Sequence, residues 1–343
     1  MDTEPSRPRL SVVIPVYGSA PILPELVRQI DDALQVHLGL AGGFEIVLVN
    51  DCGPGDAWAV IVALGQERAH VKGIALRKNA GQHNAIMAGL NYARGDVIVM
   101  MDDDLQHSPS DIPALYRKVL EGYDVCYADF RSRHHARWKV LGSAINDRVA
   151  RFLLKKPKGL YLSPFKAIGR AIRDEIVKSR GPNVYLDGLI LTTTSNIATI
   201  EVDHHPRRDG NSGYTFAQSL SLWLKMATNF SIAPLRLASF LGLAFSLVGF
   251  LLVVWLVFER VRNNSIPQGW TSLMIIVLIT GGLQLLALGA IGEYLGRVFL
   301  TVNNRPQFVV ASTLNVEEAA LGAGPAERTL ERAPGGGAAI IER

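Results

Sequence analysis

The sequence predicts an α/β domain built on a mostly parallel sheet, followed by a pair of apolar helices long enough to cross a membrane. Three observations carry this. Short apolar strands alternate with helical patterns through the first two thirds of the 343 residues. Two uncharged stretches of spanning length follow. Carboxylates gather where the strands end.

The strands are "LSVVIPVY" (Leu10–Tyr17), "FEIVLVND" (Phe44–Asp51), "VKGIAL" (Val71–Leu76) and "DVIVMMD" (Asp96–Asp102). Helical patterns follow three of them, at Leu23–Leu38, Asp56–Ala69 and Gly81–Ala93. Strands that are apolar on both faces and separated by helices imply a parallel sheet covered on both sides. Such sheets bind ligands beyond the carboxyl ends of their strands.

That rule gives meaning to "VIVMMDDDLQHSP", Val97–Pro109, where three aspartates stand in a row. Adjacent like charges repel, so the arrangement is costly unless a cation or a solvated turn compensates. Pro15 and Tyr17, Asp51, and Asp102 to Asp104 all fall at strand ends, so separated stretches converge on one rim. In extended chain, residues i and i+2 point the same way, which sets Asp102 and Asp104 on one side and Asp103 on the other. Two hard oxygen ligands without a nearby Cys suit Mg²⁺ or Mn²⁺, ions that keep waters and bridge to substrate phosphates. The carboxylates read as half of a metal–diphosphate site.

Leu237–Phe258 and Trp270–Gly292 are each long enough to cross a hydrocarbon core of about 30 Å. The short loop between them, Glu259–Gly269, makes the pair a hairpin with both outer ends on one side. Before it, Phe216, Leu220, Trp223, Ala227 and Phe230 recur every three or four residues. That stripe fits a helix in the membrane interface over 214–236, and equally one packed on the preceding domain. The Gly- and Ala-rich tail, 311–343, is expected to be disordered. The N-terminus lacks an apolar signal region, so no cleavable leader is expected. A net charge of +4 without a basic block argues against nucleic acid. Cys52 and Cys126 alone make neither a disulfide scaffold nor a thiolate metal site.

Together, "VVIPVYGSAPILPELV", "VLVNDCGPGD", "RKNAGQHNAIMAGLNYARGDVIVMMDDDLQHSPSDIPAL" and "RRDGNSGYTF", followed by two apolar spans, resemble the family 2 inverting glycosyltransferases of GT-A (Rossmann-like) fold. Within them the likeness is to the polyprenyl-phosphate branch, which includes dolichyl-phosphate mannose synthase and the undecaprenyl-phosphate sugar transferases. It covers residues 9 to 310.

The resemblance implies a cytosolic transferase domain over 1–213, a multi-pass anchor over 237–310 in the inner membrane, a nucleotide-sugar donor and a polyprenyl-phosphate acceptor. It places Pro15, Tyr17 and Asp51 at the donor's base and ribose, and counts Asp103, in the variable middle of the acidic motif, among the nucleotide-binding residues. Asp102, Asp104 and Gln106 match the group around the metal and diphosphate. Lys78, Asn79, Gln82 and His83 match a helix-entry motif near the donor. Arg131, Arg207 and Arg208 match basic positions at the lipid phosphate or diphosphate. Plainer readings stand beside these: His83 packing or capping a helix, and Arg207 or Arg208 facing solvent.

The chain departs from the pattern in places. Relatives often carry Asn-Glu where Gly18 and Ser19 stand, and Lys where Gly213 stands. The segment that in several relatives supplies a proposed catalytic Asp reads "KGLYLSPFKAIGR", Lys158–Arg170, without a carboxylate. Candidates for a base are then Asp104 and Asp187. A phosphate acceptor eases the requirement, because a monoester with a second pKa near 6 is largely dianionic at pH 7. The alternatives are transfer to a sugar or glycolipid hydroxyl, and an inactive membrane scaffold retaining the fold.

Small residues recur on the apolar stretches, at Ala238, Gly242 and Ser246 and at Gly292 and Gly296. Such stripes let helices approach closely, though ordinary glycine usage in membrane helices gives the same spacing. The resemblance, to a branch whose members can form oligomers, implies a homo-oligomer. Lys225, Arg236, Arg297 and Arg305 outweigh Arg260 and Arg262, which directs both termini to the cytosol.

Overall fold

The structure, a computed structural model, describes residues 7–39, 43–130, 157, 159–182, 184–202, 233–262, 269–303 and 305–316. Arg131, Arg207, Arg208 and the interfacial stripe over 214–232 lie outside them.

Strands β1 (Leu10–Val16), β2 (Phe44–Asn50), β3 (Val71–Leu76) and β4 (Val97–Met100) form the parallel centre of one sheet, with β1 between β2 and β4. β5 (Val125–Phe130), β6 (Lys166–Gly169), β7 (Ile197–Val202) and β8 (Val310–Leu314) complete it in the order β7-β5-β6-β4-β1-β2-β3-β8. β6 runs antiparallel to β4 and β5, and β8 antiparallel to β3, so the sheet is mixed but mostly parallel.

The period-2 alternation of each strand divides the core between two faces. Val12, Ile14 and Val16 pack with α1 (Leu23–Leu38), α2 (Ala57–Glu67) and α4 (Ile112–Leu120). Val13, Val47, Ile74, Ile98 and Met100 pack with α3 (Gln82–Tyr92), α5 (Arg170–Ile176) and α6 (Leu186–Thr193). β1 is wholly buried, as its continuous apolar run requires. Every described βα connection therefore delivers the following helix to a covered face and leaves the strand ends as an open rim.

Two long helices, α7 (Ala233–Arg262) and α8 (Trp270–Val302), lie against one another. Both run past the expected bounds, and residues 233–236 belong to α7 rather than to a separate interfacial segment. Among the described residues one stretch, Ile279–Val302, is long and apolar enough to cross a membrane by length and composition. Large side chains such as Phe240, Leu243, Trp255 and Leu295 are exposed along both helices.

After α8 the chain returns to the sheet, which corrects the expectation of disorder for residues 311–316; the rest of that tail, 317–343, lies outside the described residues. Arg77 N–H donates to Val309 O at 2.8 Å, and β8 extends the sheet beyond β3. Asn315 fastens the end, donating to Gly65 O at 2.7 Å and Val71 O at 2.9 Å. The reason is visible in "FVVASTL": β-branched residues able to satisfy an otherwise open sheet edge.

Candidate active site

The rim above β1, β2 and β4 holds a cleft of about 340 Å³, lined by Pro15, Tyr17, Asp51, Asn79, Gly81, Gln82 and Asp102 to Asp104. The strand-end residues expected to converge do so. Close approach of backbones makes this possible: a Cβ on Gly53, after β2, would come within 2.6 Å of Gly18 N, after β1. Strain concentrates here too, since Cys52 and Leu105 both adopt left-handed φ, 55° and 58°.

Asp51 faces inward. Its carboxylate accepts from Ala80 N at 2.7 Å and Gly81 N at 2.9 Å, pinning the entry to α3. Gly81 takes φ 86°, a conformation that favours glycine. Burial pushes the Asp51 carboxyl up, and these two amides oppose the shift. The clamp sets Asn79 and Gln82 at the cleft wall.

The three aspartates point to different partners. Asp102 accepts from Gln82 Nε2 at 2.6 Å. Asp103 turns to the loop after β1, accepting from Tyr17 N at 3.0 Å and from Ser19 Oγ. Asp104 accepts from the Gln106 amide at 3.1 Å. Burial, reinforced by Asp104 and Asp103, pushes Asp102 up to about 7, against the pull of Lys166 and Gln82. Asp103 is raised by burial, with Ser19 and Tyr17 opposing. The turn therefore holds more negative charge than its own surroundings comfortably bear.

His107 supports the turn from beneath, and the sequence reading passed over it. Its Nδ1 accepts from Asp102 N at 3.3 Å, while its ring stacks on Phe165 at 5.2 Å and Phe130 at 5.5 Å. The aromatic partners sit on β5 and just before β6, so only the fold reveals them.

The remaining candidates lie away from the cleft lining. Lys78 is exposed on the loop after β3. His83 packs edge-on against Tyr185 at 5.3 Å, and burial lowers its pKa, which matches the packing alternative. Asp187, the second candidate base, is buried, accepts from Tyr127 OH at 3.0 Å, and pairs with the buried Lys166 ammonium. Both partners converge on Oδ1 of this carboxylate. Lys166 comes from the very segment that lacked a carboxylate, and supplies a cation instead.

The matching model for "Glycosyl transferase family 2" spans residues 11–177, from β1 through α5. An undecaprenyl-phosphate 4-deoxy-4-formamido-L-arabinose transferase from Klebsiella pneumoniae (strain 342) is 32% identical over 93% of this chain and 98% of its own length. The chain belongs to glycosyl transferase family 2. A transferase of the same name from Proteus mirabilis is 34% identical over 90% of this chain and 95% of its own. Among solved structures, the family 2 chain is similar to glucosyl-3-phosphoglycerate synthase from Mycobacterium tuberculosis in complex with Mn²⁺, UDP-glucose and phosphoglyceric acid, at 16% identity and a TM-score of 0.47 over 65% of this chain and 78% of that one.

Among the described residues of this family member, no group of three His, Cys, Asp or Glu side chains is arranged to hold a metal ion. Asp102 and Asp104 nevertheless fit half of a hard-ion site. They supply carboxylate oxygens beside an open cleft, and their mutual repulsion is what a divalent cation would relieve. The Gln106 side chain is not among the cleft lining, and its backbone amide serves Asp104 instead.

Proposed function

We propose that this family 2 transferase is membrane-anchored and inverting, and moves one sugar from a nucleotide sugar to a polyprenyl phosphate such as undecaprenyl phosphate on the cytosolic face. The observation that carries the proposal is the extent of the likeness. Relatives named for that activity align over nine tenths of the chain, through the long helices as well as the cleft. The bacterial branch points further to a UDP sugar.

The cleft suits a donor. Pro15 and Tyr17 offer apolar surface for base and ribose, with Asn79 and Gln82 beside them. Asp102 and Asp104 would hold Mg²⁺ or Mn²⁺, which when bound would neutralise a diphosphate leaving group. The acceptor needs no strong base, since a phosphate monoester brings its own negative oxygen. That agrees with Asp187 being spent on Lys166 and Tyr127. What the chain must supply is alignment of that oxygen behind the anomeric carbon. Arg131, Arg207 and Arg208 are assigned to the phosphates, because a guanidinium can give a phosphate two parallel hydrogen bonds. The exposed apolar faces of α7 and α8 are assigned to a membrane-spanning hairpin, with 214–232 in the interface and small residues available for homo-oligomer packing.

The test is to incubate membranes containing the protein with a panel of labelled nucleotide sugars and undecaprenyl phosphate. Label entering a lipid phosphodiester, dependent on divalent ion, is the expected outcome. Transfer to a sugar or glycolipid hydroxyl without the lipid phosphate would replace the acceptor assignment, and absence of donor binding would support the scaffold alternative.

A further inference from the structure

Asp103 lines the cleft with its neighbours, but its carboxylate also reaches across to another loop. Its Oδ2 takes both the Tyr17 amide, at 3.0 Å, and the Ser19 hydroxyl, across 86 and 84 residues of sequence. Between those donors Gly18 adopts φ 81°, so the loop bends back and presents both to one oxygen. On its other side the loop is hemmed in by the Gly53 backbone, where even a methyl group would collide. The loop after β1 is thus gripped from two directions, while the Tyr17 ring at its tip is 58% exposed and forms part of the cleft wall.

An exposed aromatic ring makes a good platform for a flat base only if its backbone is already fixed, because ordering the loop on binding would offset the gain. We infer that Asp103 is a positioning residue, neither a metal ligand nor a direct nucleotide ligand: with Ser19 it staples the loop after β1 to the acidic turn and presets Tyr17 for the donor's base. Ser19, a departure from the family pattern, acquires a role as the second donor to this carboxylate. The charge makes the staple stronger than a neutral bond would be.

The inference rests on the reading of the cleft as a nucleotide-sugar site, so the experiment separates the two. Full-length protein in detergent or nanodiscs is titrated with UDP and, in parallel, GDP, each with Mn²⁺, and donor KM, kcat and the Mn²⁺ requirement are measured for the nucleotide that binds. Asp103→Ala is expected to weaken nucleotide binding and raise donor KM by about tenfold, the scale of losing a hydrogen-bonded charged group. The Mn²⁺ concentration for half-activation stays unchanged. Ser19→Ala shifts donor KM the same way by a smaller factor, and the double variant resembles Asp103→Ala alone because both act through one oxygen. Asp103→Asn keeps an acceptor for the amide and recovers most of the loss. Should Asp103→Ala fail to fold, Ser19→Ala and Asp103→Asn carry the same comparison. An Asp103→Asn variant as impaired as Asp103→Ala, with a raised Mn²⁺ requirement, would make Asp103 a metal ligand and overturn the inference. Wild-type binding that none of the variants changes would also overturn it, whereas wild-type protein binding neither nucleotide would overturn the donor-site reading itself.

Discussion

The two ends of the sheet treat their carboxylates in opposite ways. At the amino end Glu45, on β2, is 2% exposed and accepts from Ser11 Oγ at 2.5 Å, from Arg94 N at 2.5 Å and from the Lys72 ammonium. Gly95 N closes the group by donating to Ser11 Oγ at 2.8 Å. At the carboxyl end Asp102 has the Gln82 amide and the charge of Lys166, set against burial and two neighbouring aspartates. One acid is compensated by the fold, and the other is left with charge that a ligand can compensate. The difference teaches where to look for function in an α/β domain: at the unresolved cost rather than at the acid itself.

The largest expected effect comes from the unresolved end. Asp104→Asn should reduce transfer by about a hundredfold or more, the scale of losing a preorganised charge contact at a reacting centre. Thermal stability should hold or rise, because a repelling charge is gone. Full activity in this variant, or in excess chelator, would break the comparison.

Next comes the opposite pole. Glu45→Ala strands Lys72 and two further donors in the interior, and should cost about 3 kcal/mol in a denaturant titration. The donor KM of the protein that remains folded should not move. A change in KM with stability intact would show that the amino end also serves the cleft.

A third effect is in pH. Folding raises the Asp102 carboxyl from 3.8 to about 7, so the fold favours its protonated form. Below the unfolded pKa both states are protonated and nothing is lost. As pH climbs from 3.8 to about 7, the unfolded chain releases this proton while the metal-free fold retains it, so stability falls across that window and levels off above it. Divalent binding runs the other way, because the cation competes with that proton, and Mn²⁺-dependent nucleotide affinity should weaken by up to about tenfold per unit below pH 7. Asp102→Asn should flatten the stability profile. A wild-type profile equally flat from pH 5 to 8 would contradict the assignment.

The smallest effect sharpens where the ligand end faces. In a Cys52→Ser background, which removes the exposed native thiol, a membrane-impermeant thiol probe should label a Cys at Asn264 in intact cells and not one at Ser312. Reversed labelling would move the cleft to the other side of the membrane from the nucleotide sugars.

β1 to β4 and α1 to α3 were legible because each carries its own periodicity, and the structure keeps them within a residue or two of the expected ends. β6 and β8 were not. "KAIG" is too short to show a period, and β8 forms only because β3 offers an open edge. In the site, convergence of Tyr17, Asp51 and Asp102 to Asp104 followed from strand ends alone. The direction of each side chain did not. Asp187 had the residue type of a base, but Lys166 and Tyr127 lie 21 and 60 residues away and claim it.

By itself, then, the sequence determined the parallel strand centre, the acidic rim, the two apolar helices and the family, because hydrophobic period and motif spacing are local properties written along the chain. The tertiary structure decided which carboxylates are already satisfied, that Asp103 reaches back to Ser19, that His107 props the turn, and that the chain beyond the helices closes the sheet. Those outcomes depend on partners distant in sequence, and a hydrogen bond or ion pair exists only once folding has brought both of its ends within about 3 Å.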